Sequence, residues 1–254
     1  MLKYFCQGSG GQTLVLIHGY CENNTCFNKQ VLFFKDSHKV ITLDLPGFGS
    51  SEVITDVSMD QMATEVKAVL DHLDIRQCIM MGHSMGGYVV MAFAELYPQM
   101  LTSFGLIHSV ATADNEERKE KRKQVIALLE KTGKEPYIKS FIPTLFATPN
   151  QSEPYVNDFI LQGLSGPKEG IIEAAKAMMN RPDRLHVLEQ TQVPVFFAIG
   201  KQDPLIPEEA MFKQAALCKV SQICYLQNAG HVGMVEEPDM LNKGMMEFIN
   251  SRSF

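Results

Sequence analysis

The sequence predicts an α/β fold: a mostly parallel sheet with helices on both faces, interrupted by a helical insertion. Three observations predict it. Short apolar runs of strand length recur along the chain, helical patterns lie between most of them, and the alternation fails between about residues 114 and 190. Parallel neighbours need a crossover that is usually helical, and strands covered on both faces read as continuous apolar runs, so this rhythm implies a covered parallel sheet. With 254 residues, 45% of them hydrophobic and 20% charged, the chain has room for one large domain or one domain with an insertion.

The elements follow in order. The opening MLKYFCQGSGGQ alternates like a strand and runs into a glycine-rich turn, without the longer apolar region and cleavage site of a secretory signal. Leu14-Val-Leu-Ile17 and Lys39-Val-Ile-Thr-Leu43 read as the next two strands. In SMDQMATEVKAVLDHL, Ser58 and Gln61 occupy capping-box positions, and apolar residues at 59, 62, 63, 66, 69, 70 and 73 mark one face of a helix. Gln77 to Met81 is a buried strand leading into the helical pattern Tyr88-Val-Val-Met-Ala-Phe-Ala, and Ser103 to Ile107 is the strand after it.

From Asp114 to Gln190 the sequence predicts several helices and no strand, broken by Gly133, Pro136, Pro143, Pro149, Pro154, the Gly163-Leu-Ser-Gly-Pro167 turn and Pro182. Pro194 to Ile199 and Gln222 to Leu226 complete the sheet. The expected organisation is a core of residues 1–113 and 188–254 with an insertion at 114–187.

A net charge of −6 gives no overall attraction to nucleic acid or anionic lipid, and no segment approaches the roughly 20 continuous apolar residues that span a bilayer. Cys6, Cys21, Cys26, Cys78, Cys218 and Cys224 are scattered without C-x-x-C spacing, which favours free thiols in a reducing, cytoplasmic setting. The charged run from Asn115 to Lys123 mixes both signs and places Glu117 four residues before Lys121, as on a solvated helix face.

In open α/β sheets, ligands bind beyond the carboxyl ends of the strands. Four stretches sit there: His18-Gly19-Tyr20, Gly82-His83-Ser84-Met85-Gly86, Gly200-Lys-Gln-Asp203-Pro204 and Asn228-Ala-Gly-His231. A serine at a sharp strand-to-helix bend needs small residues two before and two after it, and Gly82 and Gly86 meet that need. The bend projects the hydroxyl outward, with the Met85 N–H behind it at a helix N-terminus, where backbone donors favour developing negative charge. G-x-S-x-G alone arises by chance in roughly one chain of this length in ten. Its weight comes from the flanking strand and helix, and from an Asp and then a His at later strand ends.

Together these stretches resemble the α/β-hydrolase fold superfamily in its serine-nucleophile branch, with GHSMGG as nucleophile elbow, HGY as oxyanion loop, DLPGFGSSE after the next strand and AGHVGMVEEPD around the base. The resemblance covers nearly the whole chain and implies that the 114–187 insertion is a helical cap that sets substrate choice. Ser84 is then the nucleophile, His231 its base, and Asp203 the acid that orients the imidazole. Asp114 is a rival acid, or else the N-cap of the first inserted helix. The resemblance assigns the oxyanion donors to the backbone N–H groups of Tyr20 and Met85. His18 and His83 read as structural. The Tyr20 ring, Cys21, His108, Phe141 and Phe146 are candidate lining residues for an apolar pocket.

Gly47-Phe-Gly49 lacks the register of a dinucleotide fingerprint, and the seven histidines lack metal-ligand spacing, so neither cofactor nor metal is expected. Serine rather than aspartate at the elbow argues for acyl transfer, and the resemblance extends to carboxylesterases, the pimeloyl-carrier methyl ester esterase, enol-lactonases and meta-cleavage C–C hydrolases. Hydrolysis of a small carboxylic ester by a monomer or homodimer is the expectation. C–C or lactone hydrolysis, and a ligand-binding receptor that keeps the fold, are the alternatives. An acidic acyl carrier protein would meet Arg118, Lys119, Lys121, Arg122 and Lys123, a patch weakened by interleaved glutamates.

Overall fold

The computed structural model describes residues 1–151 and 153–251. The chain runs β1 (Tyr4–Gln7), β2 (Thr13–Ile17), α1 (Asn28–Phe34), β3 (Lys39–Leu43), α2 (Met59–His72), β4 (Cys78–His83), α3 (Met85–Leu96) and β5 (Leu101–Ile107). Five helices follow, α4 (Glu116–Thr132), α5 (Lys134–Phe141), α6 (Pro154–Ser165), α7 (Lys168–Asn180) and α8 (Leu185–Gln190). The chain then returns through β6 (Val195–Gly200), α9 (Glu208–Ala215), β7 (Ser221–Leu226), α10 (Gly233–Glu236) and α11 (Pro238–Asn250).

The strands form one seven-stranded sheet in the order β1-β3-β2-β4-β5-β6-β7, parallel except for β1 at its edge. Strands β4 and β6 are buried at every residue, as expected of parallel strands covered on both faces. Helix α2 forms where the sequence predicts it: the Ser58 hydroxyl accepts the Gln61 N–H at 3.1 Å, and Met59, Met62, Ala63, Val66, Val69 and Leu70 turn inward.

Strand β4 runs two residues beyond the predicted end at Met81. Gly82 and His83 stay in the parallel ladder, Gly82 against Ile17 and Leu106, and His83 against Ile107. Ile17 also pairs with Leu43, and Ile107 with Ala198, so the carboxyl ends of the central strands finish along one edge. The four predicted stretches leave the sheet at that edge.

Among the described residues, only helices and turns lie between β5 and β6, with α4 packed on α5 and α7. All six cysteines are free. Among the described residues, no helix is long and apolar enough to cross a membrane.

Candidate active site

Ser84 sits between β4 and α3 with φ +48° and ψ −115°, a strained conformation for a residue with a side chain. The turn closes because both flanking residues are glycine. A Cβ on Gly82 would come within 2.3 Å of the Gly86 backbone, and one on Gly86 within 2.2 Å of the Ile17 carbonyl oxygen. The bend therefore rests against β2 and points the serine away from the sheet into a cavity of about 360 Å³.

His231 borders the same cavity. Its Nδ1 lies 2.8 Å from Asp203 Oδ2, while Nε2 is buried and meets no hydrogen-bond partner among the described residues. Ser84 and His231 are thus not hydrogen bonded to each other here, a contact of the kind that tightens around a bound substrate. The loop holding His231 is fixed by its neighbours. His231 N–H donates to the Leu145 carbonyl at 2.7 Å, and the Glu236 carboxylate accepts the N–H groups of Gly230, Val232 and Ala147.

Asp203 is held from both sides. Its Oδ1 accepts the N–H groups of Leu205 and Ile206 at 2.9 and 3.0 Å. Burial alone would raise its carboxyl, but the His231 imidazole and the His108 N–H outweigh burial and hold it well below the usual carboxylate range. Asp114, the rival acid, points elsewhere: Arg122 and Arg181 occupy its two oxygens. Nor does Asp114 cap α4, a role taken by the Asn115 side chain.

His108 corrects an expectation. It is fully buried behind Asp203 rather than on the cavity wall, with φ +49°. Its Nε2 accepts the Gly233 N–H at 3.2 Å, so its proton sits on Nδ1, 3.4 Å from Asp203 Oδ2. Burial depresses its pKa to about 4, although the Asp203 charge opposes the shift. A histidine lowered from 6.5 to about 4 on folding adds stability above pH 6.5 that is lost as pH falls through that window. The fall in Tm between pH 6.5 and 4.5 is therefore expected to be smaller in His108→Asn, asparagine being tolerant of positive φ. An unchanged acid limb in the variant would remove His108 from this role.

His18 and His83 organise the loop after β2. His18 Nδ1 donates to the Gly19 carbonyl at 2.7 Å and Nε2 accepts the Leu45 N–H at 2.9 Å, which fixes a neutral ring. His83 differs. Its Nδ1 faces the Glu22 carboxylate at 2.9 Å and its Nε2 faces the His231 carbonyl at 2.7 Å, so both nitrogens must donate and the ring is a cation. Burial opposes this charge, but Glu22 outweighs it and raises the His83 pKa. Glu22 is buried too and also accepts the Gly19 N–H at 2.8 Å. The sequence reading did not single out Glu22.

Among the described residues, the N–H groups of Tyr20 and Met85 donate to no protein acceptor. Tyr20 and Phe141 line the cavity, whereas the expected lining residues Cys21 and Phe146 do not. Cys21 is fully buried in a positive-φ turn (φ 63°), and Phe146 packs edge-on against Phe159 at 5.6 Å inside the inserted helices. A further correction concerns α4. Its charged run is not wholly a solvated face, since Arg118, Lys121, Arg122 and Val125, at helical spacing, line the cavity.

Comparison with known proteins agrees with this architecture. A family model described as the alpha/beta hydrolase fold matches residues 12–238. The dihydrolipoyllysine-residue acetyltransferase component of an acetoin cleaving system from Pseudomonas putida is 30% identical over 255 residues, 98% of this chain, which spans 66% of that relative's length. 3-Oxoadipate enol-lactonase 2 from Acinetobacter baylyi is 27% identical over 236 residues, covering 90% of this chain and 85% of the relative. Among solved structures, a thermophilic esterase from Thermogutta terrifontis with malate bound superposes with a TM-score of 0.93 at 30% identity, over 98% of this chain and 92% of the esterase.

Proposed function

The chain belongs to the alpha/beta hydrolase fold family, and on that premise we propose that it hydrolyses small carboxylic esters through an acyl-enzyme on Ser84. The observation that carries this reading is the pairing of two groups on one cavity: a serine at a strained bend, and an imidazole anchored on Asp203 at one end and unpartnered at the other. In this reading Ser84 Oγ attacks the carbonyl carbon while His231 Nε2 takes its proton. The charge that develops on the carbonyl oxygen is met by the N–H groups of Met85 and Tyr20, each worth about 3 kcal/mol in the transition state. Collapse breaks the bond to the alcohol, which leaves with the proton from His231. Water then repeats the sequence on the acyl-serine, releases the acid and restores both side chains.

The enol-lactonase relative supports extending the reading to lactones, which are internal esters opened by the same attack. A fluorophosphonate probe tests the nucleophile. Wild type is expected to label stoichiometrically and Ser84→Ala not at all, and an unlabelled wild type would instead indicate a binding protein. For substrate class, p-nitrophenyl esters of increasing acyl length are set against an enol-lactone and a meta-cleavage dienoate. Turnover of the dienoate alone would end the ester assignment.

A further inference from the structure

Among the described residues, the cavity wall carries more positive than negative charge. Arg122, on α4, donates through Nε to Asp114 Oδ2 and through Nη2 to Oδ1, and Arg181 donates through Nη1 to the same Oδ1 at 2.7 Å. Two guanidinium groups thus share one buried carboxylate. Arg181 does not line the cavity: it also donates to the Met178 and Thr112 carbonyls and stacks on the Tyr88 ring at 3.8 Å, with its side chain 2% exposed and its buried Nε without an acceptor among the described residues. Arg122 does. It borders the cavity that holds Ser84 and His231, and among the described residues its Nη1 meets no acceptor.

The other charges around the cavity do not supply the missing anion. Glu117 is paired with Lys121 at 2.6 Å, and Glu22 is neutralised by the His83 cation. The Asp203 carboxylate lies behind the His231 ring with its side chain 1% exposed. Arg118, at the rim, donates to the Leu205 carbonyl and pairs with no carboxylate among the described residues, so it adds to the excess. A guanidinium with an open N–H edge in a partly dry wall favours a carboxylate, whose two oxygens match its planar donors.

We propose that Arg122, with Arg118 at the rim, forms an anion subsite in the Ser84 cavity, and that the preferred substrates are carboxylic esters carrying a second, ionised carboxylate. The inference rests on the ester-hydrolase reading above and names its substrate class.

Matched pairs decide it: the monoethyl esters of glutaric and adipic acid against the corresponding diethyl esters, followed by pH-stat. Wild type is expected to favour the half-esters, and in Arg122→Gln the half-ester to diester ratio of kcat/KM is expected to fall by roughly 10- to 100-fold, mainly through KM. Arg122→Lys should recover part of that ratio. A wild-type preference for the diesters, or a ratio unmoved by Arg122→Gln, overturns the subsite. Calorimetric binding of glutarate to wild type and to Arg122→Gln reads the subsite without turnover. If no ester is hydrolysed, the ester reading fails, and tight wild-type binding lost in the variant still upholds the anion site. Should Arg122→Gln not fold, the wild-type half-ester preference and glutarate binding decide alone.

Discussion

Asp203→Asn is expected to lower kcat toward a p-nitrophenyl ester by roughly 10⁴-fold with little change in KM. The size of the effect follows from the tautomer. With the carboxylate 2.8 Å from Nδ1, the His231 ring carries its proton on Nδ1 and leaves Nε2 free to accept from Ser84. An asparagine amide facing Nδ1 makes that nitrogen the acceptor and moves the ring proton to Nε2, the end that must receive one. Asparagine retains Oδ1, which accepts the Leu205 and Ile206 N–H groups, so the turn that carries residue 203 keeps its hydrogen bonds while the ring loses its anionic partner.

Asp114→Asn gives the opposite pattern. Its carboxylate neutralises Arg122 and Arg181 and has no contact with His231, so the loss should appear in Tm, with kcat reduced less than tenfold. Removing one partner of a buried ion-paired cluster costs about 3–5 kcal/mol. Stopped-flow rates and thermal melts on both variants separate the two acids. Asp203→Asn retaining near-full rate while Asp114→Asn lost it would transfer the orienting role to Asp114.

These two acids also show what was legible in the sequence and why. The sheet was readable because its central strands carry continuous apolar runs such as Leu14 to Ile17 and Val195 to Ile199, and α2 because Ser58 and its apolar stripe both obey local spacing. Ser84, Asp203 and His231 stood at strand ends, where topology alone brings distant residues to one edge. Residues whose role depends on a partner far along the chain were not legible. Glu22 meets His83 across 61 positions and Arg122 shares Asp114 with Arg181, and neither contact leaves a period in the sequence.

His108 stood at a strand end like the others, but its left-handed backbone and its bond to Gly233 turn it behind Asp203. The cavity face of α4 had a faint signal. Arg118, Arg122, Val125 and Leu129 fall on one side of the helix, and the abundant lysines and glutamates around them masked it.

Glu22→Ala is expected to lower unfolding free energy by about 3–5 kcal/mol. The charge state of His83 is the reason. Its two nitrogens face a carboxylate and a carbonyl, so deleting the carboxylate strands a buried cation or forces the ring to give up a proton, and it also frees the Gly19 N–H. Glu22→Gln should cost less, because an amide can still satisfy Gly19 and accept from or donate to a neutral imidazole.

A double-mutant cycle with His83→Ala makes the argument quantitative: with both partners gone no charge is left unpaired, so the double variant should be more stable than the sum of the single losses implies. The pair also has a pH signature. His83, raised on folding, contributes stability that is fully present below pH 6.5 and lost as pH rises through its higher folded value, whereas Glu22, lowered on folding, contributes stability lost as pH falls through its depressed one. Urea melts across pH 5 to 9 should therefore show a wild-type decline on the alkaline side that Glu22→Ala lacks. Additive losses in the cycle together with parallel pH profiles would mean that His83 is neutral and that the Gly19 and His231 loops are joined by some other contact.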